Sequence, residues 1–563
     1  MRFIRCSVLM LCLLVVGLRG DNPVSVPLGH PVYAFLDRME TLGVLPNLMD
    51  GVRPLPRSTI ARWLMQIDRN RFLLTRIDRE RLDNFLLDFR WEIDPGTRYP
   101  ELPEDRNWYS PLSSWGQFKK DLRRFLKRNQ PEEEFHTLVW EDSSGSFYLD
   151  LIQDLTYDRR SDGKIRMLNM QTYYIRGTIG KNFGFAARAS QAALYGEKYY
   201  REAHPEVKGT FLQDHGRVTY FDRSGGEMAL DLSYFEIRFA QQFVQWGLGE
   251  SGQFIISDYA DHFPYFQLQK RWRRVTFSFI HGKLVAEASG DTLAGRPYYP
   301  DKWIVAHRLE ISPWDRFSLA FTESYIYGNR GVEWAYLLPL NMYRATEHYL
   351  LDRDNKTIAL DAELRLQRGL KIYGTLFLDE FRQSKLFTNW YGNKHAVMLG
   401  FVNVDPFRIP NFSIRVEYVA IMPWVYTHKY AINRYINNLQ PLGYWAGPNS
   451  EVWYIHLQKE FHRRLIGGLQ LRQWKHGENY PNENIGGDIL LGRNVLLGNQ
   501  QVRRQTRKFL EGILRTEKQI RLYIQYELFN DLFLNLQWQA QSVTRQNSRT
   551  NATEWRFGFR WDY

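Results

Sequence analysis

Cysteine is almost missing from this chain of 563 residues: Cys6 and Cys12 are its only two. Both sit at the extreme N-terminus, so a chain processed beyond them has neither a disulfide nor a cysteine-ligated metal. Long apolar runs are equally scarce. Nothing beyond the N-terminal segment reaches the roughly 18 apolar residues of a membrane-spanning helix. Lipid offers backbone N–H and C=O groups no partner, so helices and closed sheets are the only ways across a bilayer, and only a closed barrel remains here. Catalytic signatures are also wanting. Gly249-Glu250-Ser251-Gly252 is one residue short of a nucleophile elbow. His428 and His456 are isolated and read as loop or lumen polar groups, with no His/Glu cluster at metal spacing. Asp379 and Glu380 are strand neighbours pointing to opposite faces, so they cannot flank one glycosidic bond and read as structural ion-pair partners. The string Gly247 to Gly252 opens no helix, which favours a turn over a phosphate cradle. The chain therefore reads as a protein that is not an enzyme and carries no cofactor or metal.

What the chain does have is aromatic side chains, 33 Tyr, 35 Phe and 18 Trp, enough for the two aromatic girdles of a membrane barrel. Mean hydropathy is −0.46, as a barrel with a polar lumen and wet loops would show. The net charge is +12 and the pI about 9.3, with Lys and Arg scattered rather than blocked. Diffuse positive potential at a cell surface suits anionic polysaccharide or lipopolysaccharide phosphates, not nucleic acid.

The last nine residues read WRFGFRWDY. Trp555, Phe557, Phe559, Trp561 and Tyr563 form one aromatic strand face, while Arg556, Gly558, Arg560 and Asp562 form the other. An aromatic terminal residue closing such a strand is how outer-membrane barrels finish, and it is the signal their insertion machinery reads. At the other end, Arg2 and Arg5 precede an apolar run from Val8 to Val16, then Gly17 and Gly20. That is the layout of a secretory signal over residues 1–20, without the residues a lipid anchor needs.

Residues 21–95 carry helical spacing. Val32, Phe35, Leu36 and Met39 form one stripe ended by Gly43; Ile60, Trp63, Leu64 and Ile67 form a second behind Ser58 as N-cap; Leu82, Phe85, Leu86 and Phe89 form a third from about Asp78. Three short helices make a small bundle that needs something larger to pack on. Residues 96–135 read as a linker, or a helix around Phe118 to Leu126. From 136 to 563 the period is two: Ile358, Leu360, Ala362, Leu364 and Leu366 alternate with Ala359, Asp361, Glu363 and Arg365, and Phe412, Ile414, Val416 and Tyr418 with Ser413, Arg415 and Glu417. Leu522 to Leu528 and Leu532 to Trp538 form a hairpin across Phe529 to Asp531.

Several stretches resemble the Wzi-like capsule assembly outer-membrane proteins: His30 to Leu48 with Arg53 to Leu64, Gln245 to Leu268 with its Trp246-Gly247-x-Gly249 turn, Asp354 to Leu366, Tyr373 to Phe381, and Val416 to Glu451. They span most of the chain in the family's order. Leu248 within the glycine turn and the basic run Arg503 to Lys508 depart from its pattern. The resemblance implies an all-β transmembrane barrel of about 18 antiparallel strands with a small N-terminal α-helical periplasmic domain, and a lumen that is occluded. It implies a monomer in outer-membrane lipid that binds capsular polysaccharide and assists capsule assembly. A channel or porin, and an envelope scaffold acting through the helices, stand as alternatives. For an anionic glycan, loops mixing aromatic and basic residues are the candidate contacts, namely Tyr199, Tyr200 and Arg201, and Arg296, Tyr298 and Tyr299.

Overall fold

The computed structural model describes residues 21–95, 97–117, 119–120, 134–207, 209–290, 292–293, 295–351, 353–380, 382–385 and 388–562. The signal segment, Tyr563 and most of the helix expected around Phe118 to Leu126 lie outside these residues.

Eighteen antiparallel strands follow one another in chain order and close into a barrel. They are β1 Gly145–Arg160, β2 Ile165–Ile179, β3 Phe183–Gly196, β4 Val218–Asp231, β5 Glu236–Gln242, β6 Phe263–Arg271, β7 Val275–Leu284, β8 Lys302–Trp314 and β9 Phe317–Gly328. The circuit continues through β10 Asn355–Gln367, β11 Leu370–Glu380, β12 Lys394–Val404, β13 Phe412–Ile421, β14 Ser450–His462, β15 Leu465–Glu478, β16 Ile513–Phe529, β17 Leu532–Arg545 and β18 Ser548–Asp562. The last strand returns to the first, with Trp555 opposite Arg159 and Asp562 opposite Ile152.

The alternation in sequence becomes inside and outside. Leu309, Phe321, Leu360, Leu376 and Val397 lie side by side across β8 to β12 on the outer surface. On the closing strand, Trp555, Phe557, Phe559 and Trp561 face outward opposite Trp538, Leu536, Leu534 and Leu532. Arg556 points inward and donates to Asp158 at 2.6 Å. The aromatic face read from the C-terminus is thus the lipid-facing side of the barrel seam.

Connections at one end are short, such as 180–182, 315–316, 368–369 and 530–531, whereas the other end carries the long loops 197–217, 243–262, 329–354, 422–449 and 479–512. Two connections at the long-loop end are short as well, 161–164 and 546–547.

The N-terminal region supplies α1 Val32–Thr41, α2 Arg57–Arg69, α3 Arg76–Asp88 and α4 Arg90–Ile93. Ser58 does not cap α2. The helix begins one residue earlier, behind Pro56, whose fixed φ suits a helix start, and the N–H groups of Arg57 and Ser58 are taken by the carbonyls of Val24 and Asn22. Thr75 caps α3, accepting from the Asp78 N–H at 3.1 Å. The apolar stripes build no private core. Phe35, Leu36, Met39, Ile60, Leu64 and Phe85 belong to one cluster with Trp246, Phe254 and Ile255 from a loop and Phe377 and Met398 from the wall. Part of the stretch read as a linker is also built in, because Trp108–Tyr109 pairs with Leu138–Asp142, which in turn pairs antiparallel with the start of β1.

Candidate functional site

Two long loops turn back into the barrel. Loop 243–262 follows β5 and reaches the helical region, where Gln245–Trp246 pairs with Val52–Arg53 and the Gly247 N–H donates to the Gly51 carbonyl at 2.8 Å. Loop 422–449 packs against it: Ser257 N–H donates to the Leu442 carbonyl at 2.7 Å, and Trp424, Tyr426, Tyr435 and Tyr444 are fully buried.

The residues of the Trp-Gly-x-Gly turn are therefore a joint rather than a contact surface. Trp246 is buried in the pairing with Val52. Gly249 holds φ at +109°, and a Cβ there would come within 2.7 Å of the Met398 sulfur. The turn does gather N–H groups around an anion, but that anion is the protein's own: Glu250 and Ser251 donate to the buried Glu417 carboxylate at 2.7 and 2.8 Å.

Charged groups lock α1, the loop and the wall together. Lys371 Nζ lies 2.7 Å from Asp37, 2.8 Å from Glu40 and 3.3 Å from Glu363. Arg415 reaches Asp37 at 2.5 Å and Glu250 at 2.7 Å, and Glu250 also meets His456 at 2.6 Å. Arg38 joins Asp78 and Asp405, each at 2.9 Å. Burial opposes ionisation of Asp37 and Glu250. The cations facing them outweigh it and hold both carboxyls below the ordinary range, Glu250 at about 2.

Of the loop residues expected to contact a glycan, the first trio divides. Tyr199 is 87% exposed, whereas Tyr200 and Arg201 face inward at 6% and 1%. Tyr200 donates to Glu554 at 2.6 Å, which pins loop 197–217 to the closing strand, and Arg201 donates to Asp214 at 2.9 Å, which braces the loop internally. The second trio stands free: Arg296, Tyr298 and Tyr299 are exposed around a small hairpin in the loop after β7. Asp379 and Glu380 part as expected, Asp379 buried and accepting from the Tyr426 N–H at 2.5 Å, Glu380 exposed with Lys394 at 2.9 Å.

A cleft of about 530 Å³ at the long-loop end, not foreseen from sequence, lies between the outer ends of β10, β11 and β12 and four loops. Arg344, Lys356, Lys429 and Arg493 line it together with Glu347, Asp354, Asp379 and Glu380, and among the described residues none of these four cations forms an ion pair with a carboxylate. The Arg493 guanidinium sits 4.0 Å from the centre of the Tyr391 ring. Burial, helped by the charge of Lys394, pushes His428 down to about 3, so it is neutral there at pH 7. The residues come from loops distant in sequence, and only the run Thr427 to Tyr435, dense in basic and aromatic types, could have hinted at them.

A family model described as capsule assembly protein Wzi matches residues 171–554. The chain belongs to this family. Among solved structures it is similar to Wzi of Escherichia coli, described as an outer membrane protein involved in group 1 capsule assembly and a carbohydrate-binding β-barrel. The identity is 12%, the coverage 96% of this chain and 99% of that one, and the TM-score 0.54. The Pseudomonas aeruginosa barrels OccK7 and OpdK cover 75% and 74% of this chain, and are themselves covered to 99% and 98%, at 11% and 12% identity and a TM-score of 0.42 each. No curated protein matches the chain by sequence. The Wzi likeness establishes the fold: a closed barrel of eighteen strands with helices at the N-terminus.

Proposed function

We propose that this protein is an outer-membrane barrel that binds acidic capsular polysaccharide at the cell surface and so assists capsule assembly. In this reading the short-turn end and the helices face the periplasm and the long loops face outward, as in other outer-membrane barrels. Residues 1–20 direct export, and the aromatic face from Trp555 to Trp561, with Tyr563, is what the insertion machinery takes up. The protein works as a monomer and catalyses no reaction. The observation that carries the reading is the outer cleft, where Arg344, Lys356, Lys429 and Arg493, none of them in an ion pair among the described residues, share the lining with Tyr391, while Asp354 and Glu380 beside them are already taken by Arg330 and Lys394. Guanidinium groups fork onto carboxylates and aromatic faces take the C–H faces of sugars. The description of E. coli Wzi as carbohydrate-binding supports the same conclusion.

A glycan array probed with the detergent-solubilised protein tests it. Acidic polysaccharides should be retained over neutral ones. The double variant Lys429→Ala/Arg493→Ala should weaken that retention with unchanged heat-modifiable mobility. Equal binding of neutral and acidic glycans would overturn the reading.

A further inference from the structure

The barrel is filled on one side only. Along β8 to β12 the inward side chains are buried; Arg308, Thr322, Asp361, Thr375 and Met398 are examples. Along β15 to β17 most are not, Glu517 being an exception. Gln470, Gln519, Arg521, Tyr523, Gln537 and Gln539 all point inward and are all half-buried. In a closed barrel, an inward side chain that meets solvent meets it in the lumen. A barrel of 16 to 18 strands is wide enough to keep water inside.

These residues stand in rows across neighbouring strands. Gln470, Arg521 and Gln539 are directly opposite one another, and so are Gly468, Tyr523 and Gln537 one step further toward the short-turn end. Arg521 donates to the Gln470 amide oxygen at 3.2 Å and to that of Gln539 at 3.3 Å. These long neutral contacts hold it flat, and among the described residues it has no carboxylate partner. Its neighbours Arg472 and Arg556 are paired, with Glu517 at 3.0 Å and Asp158 at 2.6 Å. The Tyr523 ring lies on the wall over Gly468, where a Cβ would come within 2.4 Å of it. Trp445 and Trp474 meet at 5.4 Å near the upper end of this wall, with Arg472 4.6 Å from the Trp445 ring centre.

At the outer end β17 and β18 are joined by residues 546–547 alone, and loop 479–512, which joins β15 to β16, leans toward the packed side, where Thr506 bridges to Trp390 and the Trp424 N–H donates to the Gly486 carbonyl at 2.9 Å. Below this wall, the short-turn end is covered. The Phe135 N–H donates to Asp531 in the turn between β16 and β17, and Arg81 pairs with Glu460 at the foot of β14. The result is a vestibule with a floor.

Amide side chains offer a donor and an acceptor in one plane, which matches the vicinal hydroxyls of a sugar. A flat ring matches its C–H face, and an unpaired guanidinium matches a carboxylate or phosphate. We propose that the wall formed by β15 to β17 is a second glycan subsite, inside the barrel and open to the outside, which takes a segment of an acidic sugar chain with its anionic group on Arg521. This rests on the polysaccharide-binding reading and extends it from the rim into the lumen.

The chain has no cysteine beyond Cys12, so a single cysteine can report on the wall. In capsule-deficient cells, full-length protein carrying Gln539→Cys should react with a membrane-impermeant maleimide added outside. A polygalacturonate hexamer or a phosphorylated hexasaccharide should protect it, and a neutral hexaglucan should not. Which of the two acidic probes protects at lower concentration separates carboxylate from phosphate recognition. Arg521→Gln should raise the protecting concentration about 10- to 100-fold, as expected for losing a charge-assisted contact, with heat-modifiable mobility unchanged. Arg521→Lys, which keeps the charge, should recover part of it. Labelling in detergent but not on cells would overturn the subsite, as would labelling that no acidic probe reduces. Protection lost in Lys429→Ala/Arg493→Ala but kept in Arg521→Gln would place binding at the rim alone, leaving the functional reading standing. Wild-type protein that binds neither acidic hexamer in calorimetry would overturn both.

Discussion

The two sides of the barrel solve opposite problems with similar residue types. Around β8 to β13, charged inward residues are buried and matched: Lys371 serves three carboxylates, Arg415 two, and Arg308 both Asp361 and Glu310. Around β15 to β17, most inward residues are half-exposed and many are amides, and among the described residues Arg521 has no carboxylate partner. Desolvated charge must be paired, because a buried ion left alone costs several kcal/mol. Hydrated amides need no partner. The first side is therefore specified by its contacts and holds the helices and loops in place, while the second is free to exchange water for a ligand.

That contrast can be broken most severely at Lys371. Lys371→Met leaves Asp37, Glu40 and Glu363 crowded without their shared cation, and should cost about 3 to 5 kcal/mol of plug attachment. Ion conductance in planar bilayers should then appear. Gly249→Val is the next largest. The residue would have to hold φ at +109° and press on Met398, for about 1 to 3 kcal/mol, read as earlier release of the helical region to protease with the barrel intact.

Acid should act on the packed side. Asp37 faces Lys371, Arg415, Arg53, Glu40 and Asp50. Against its burial, the cations depress its pKa below the unfolded value of about 3.9. Its stabilisation is thus complete above about pH 5 and drains as pH falls below about 4. Glu40, raised chiefly by burial, works in the other direction by taking up a proton earlier. Conductance should therefore stay absent from pH 5 to 8 and begin below about pH 4.

The open side should tolerate what the packed side does not. Gln537→Ala and Gln539→Ala should change thermal stability by no more than about 0.5 kcal/mol, measured by heat-modifiable mobility. The exposed trio Arg296, Tyr298 and Tyr299, changed together to alanine, should be as silent for stability, and retained surface polysaccharide then reports whether that loop also touches glycan.

The division between the two sides was only half legible in the sequence. The wall was readable because the strand period forces alternation: Leu360 and Asp361 had to face opposite ways in any sheet, and Trp555 to Trp561 had to share a face. The helices were readable from their stripes. That Phe35 and Ile60 would share a core with Trp246 and Met398 was not, because no local pattern reports a contact between a helix and a loop some two hundred positions away. The same limit hid the outer cleft. Lys356, Lys429 and Arg493 are unremarkable surface cations until the barrel brings their loops together. Tyr200 and Arg201 looked like contact residues for the converse reason. Aromatic and basic types suit a glycan, but equally suit a pin onto Glu554 and a brace to Asp214 within the loop, and burial alone tells the two apart.

Single-channel recording on the purified full-length protein at neutral pH tests most directly whether the barrel is closed by its packed side while its open side remains a blind vestibule. Wild-type protein should show no sustained conductance, and Lys371→Met should open steps of the size expected for a wide barrel. Steady open-channel currents from the wild type, unchanged by Lys371→Met, would contradict it.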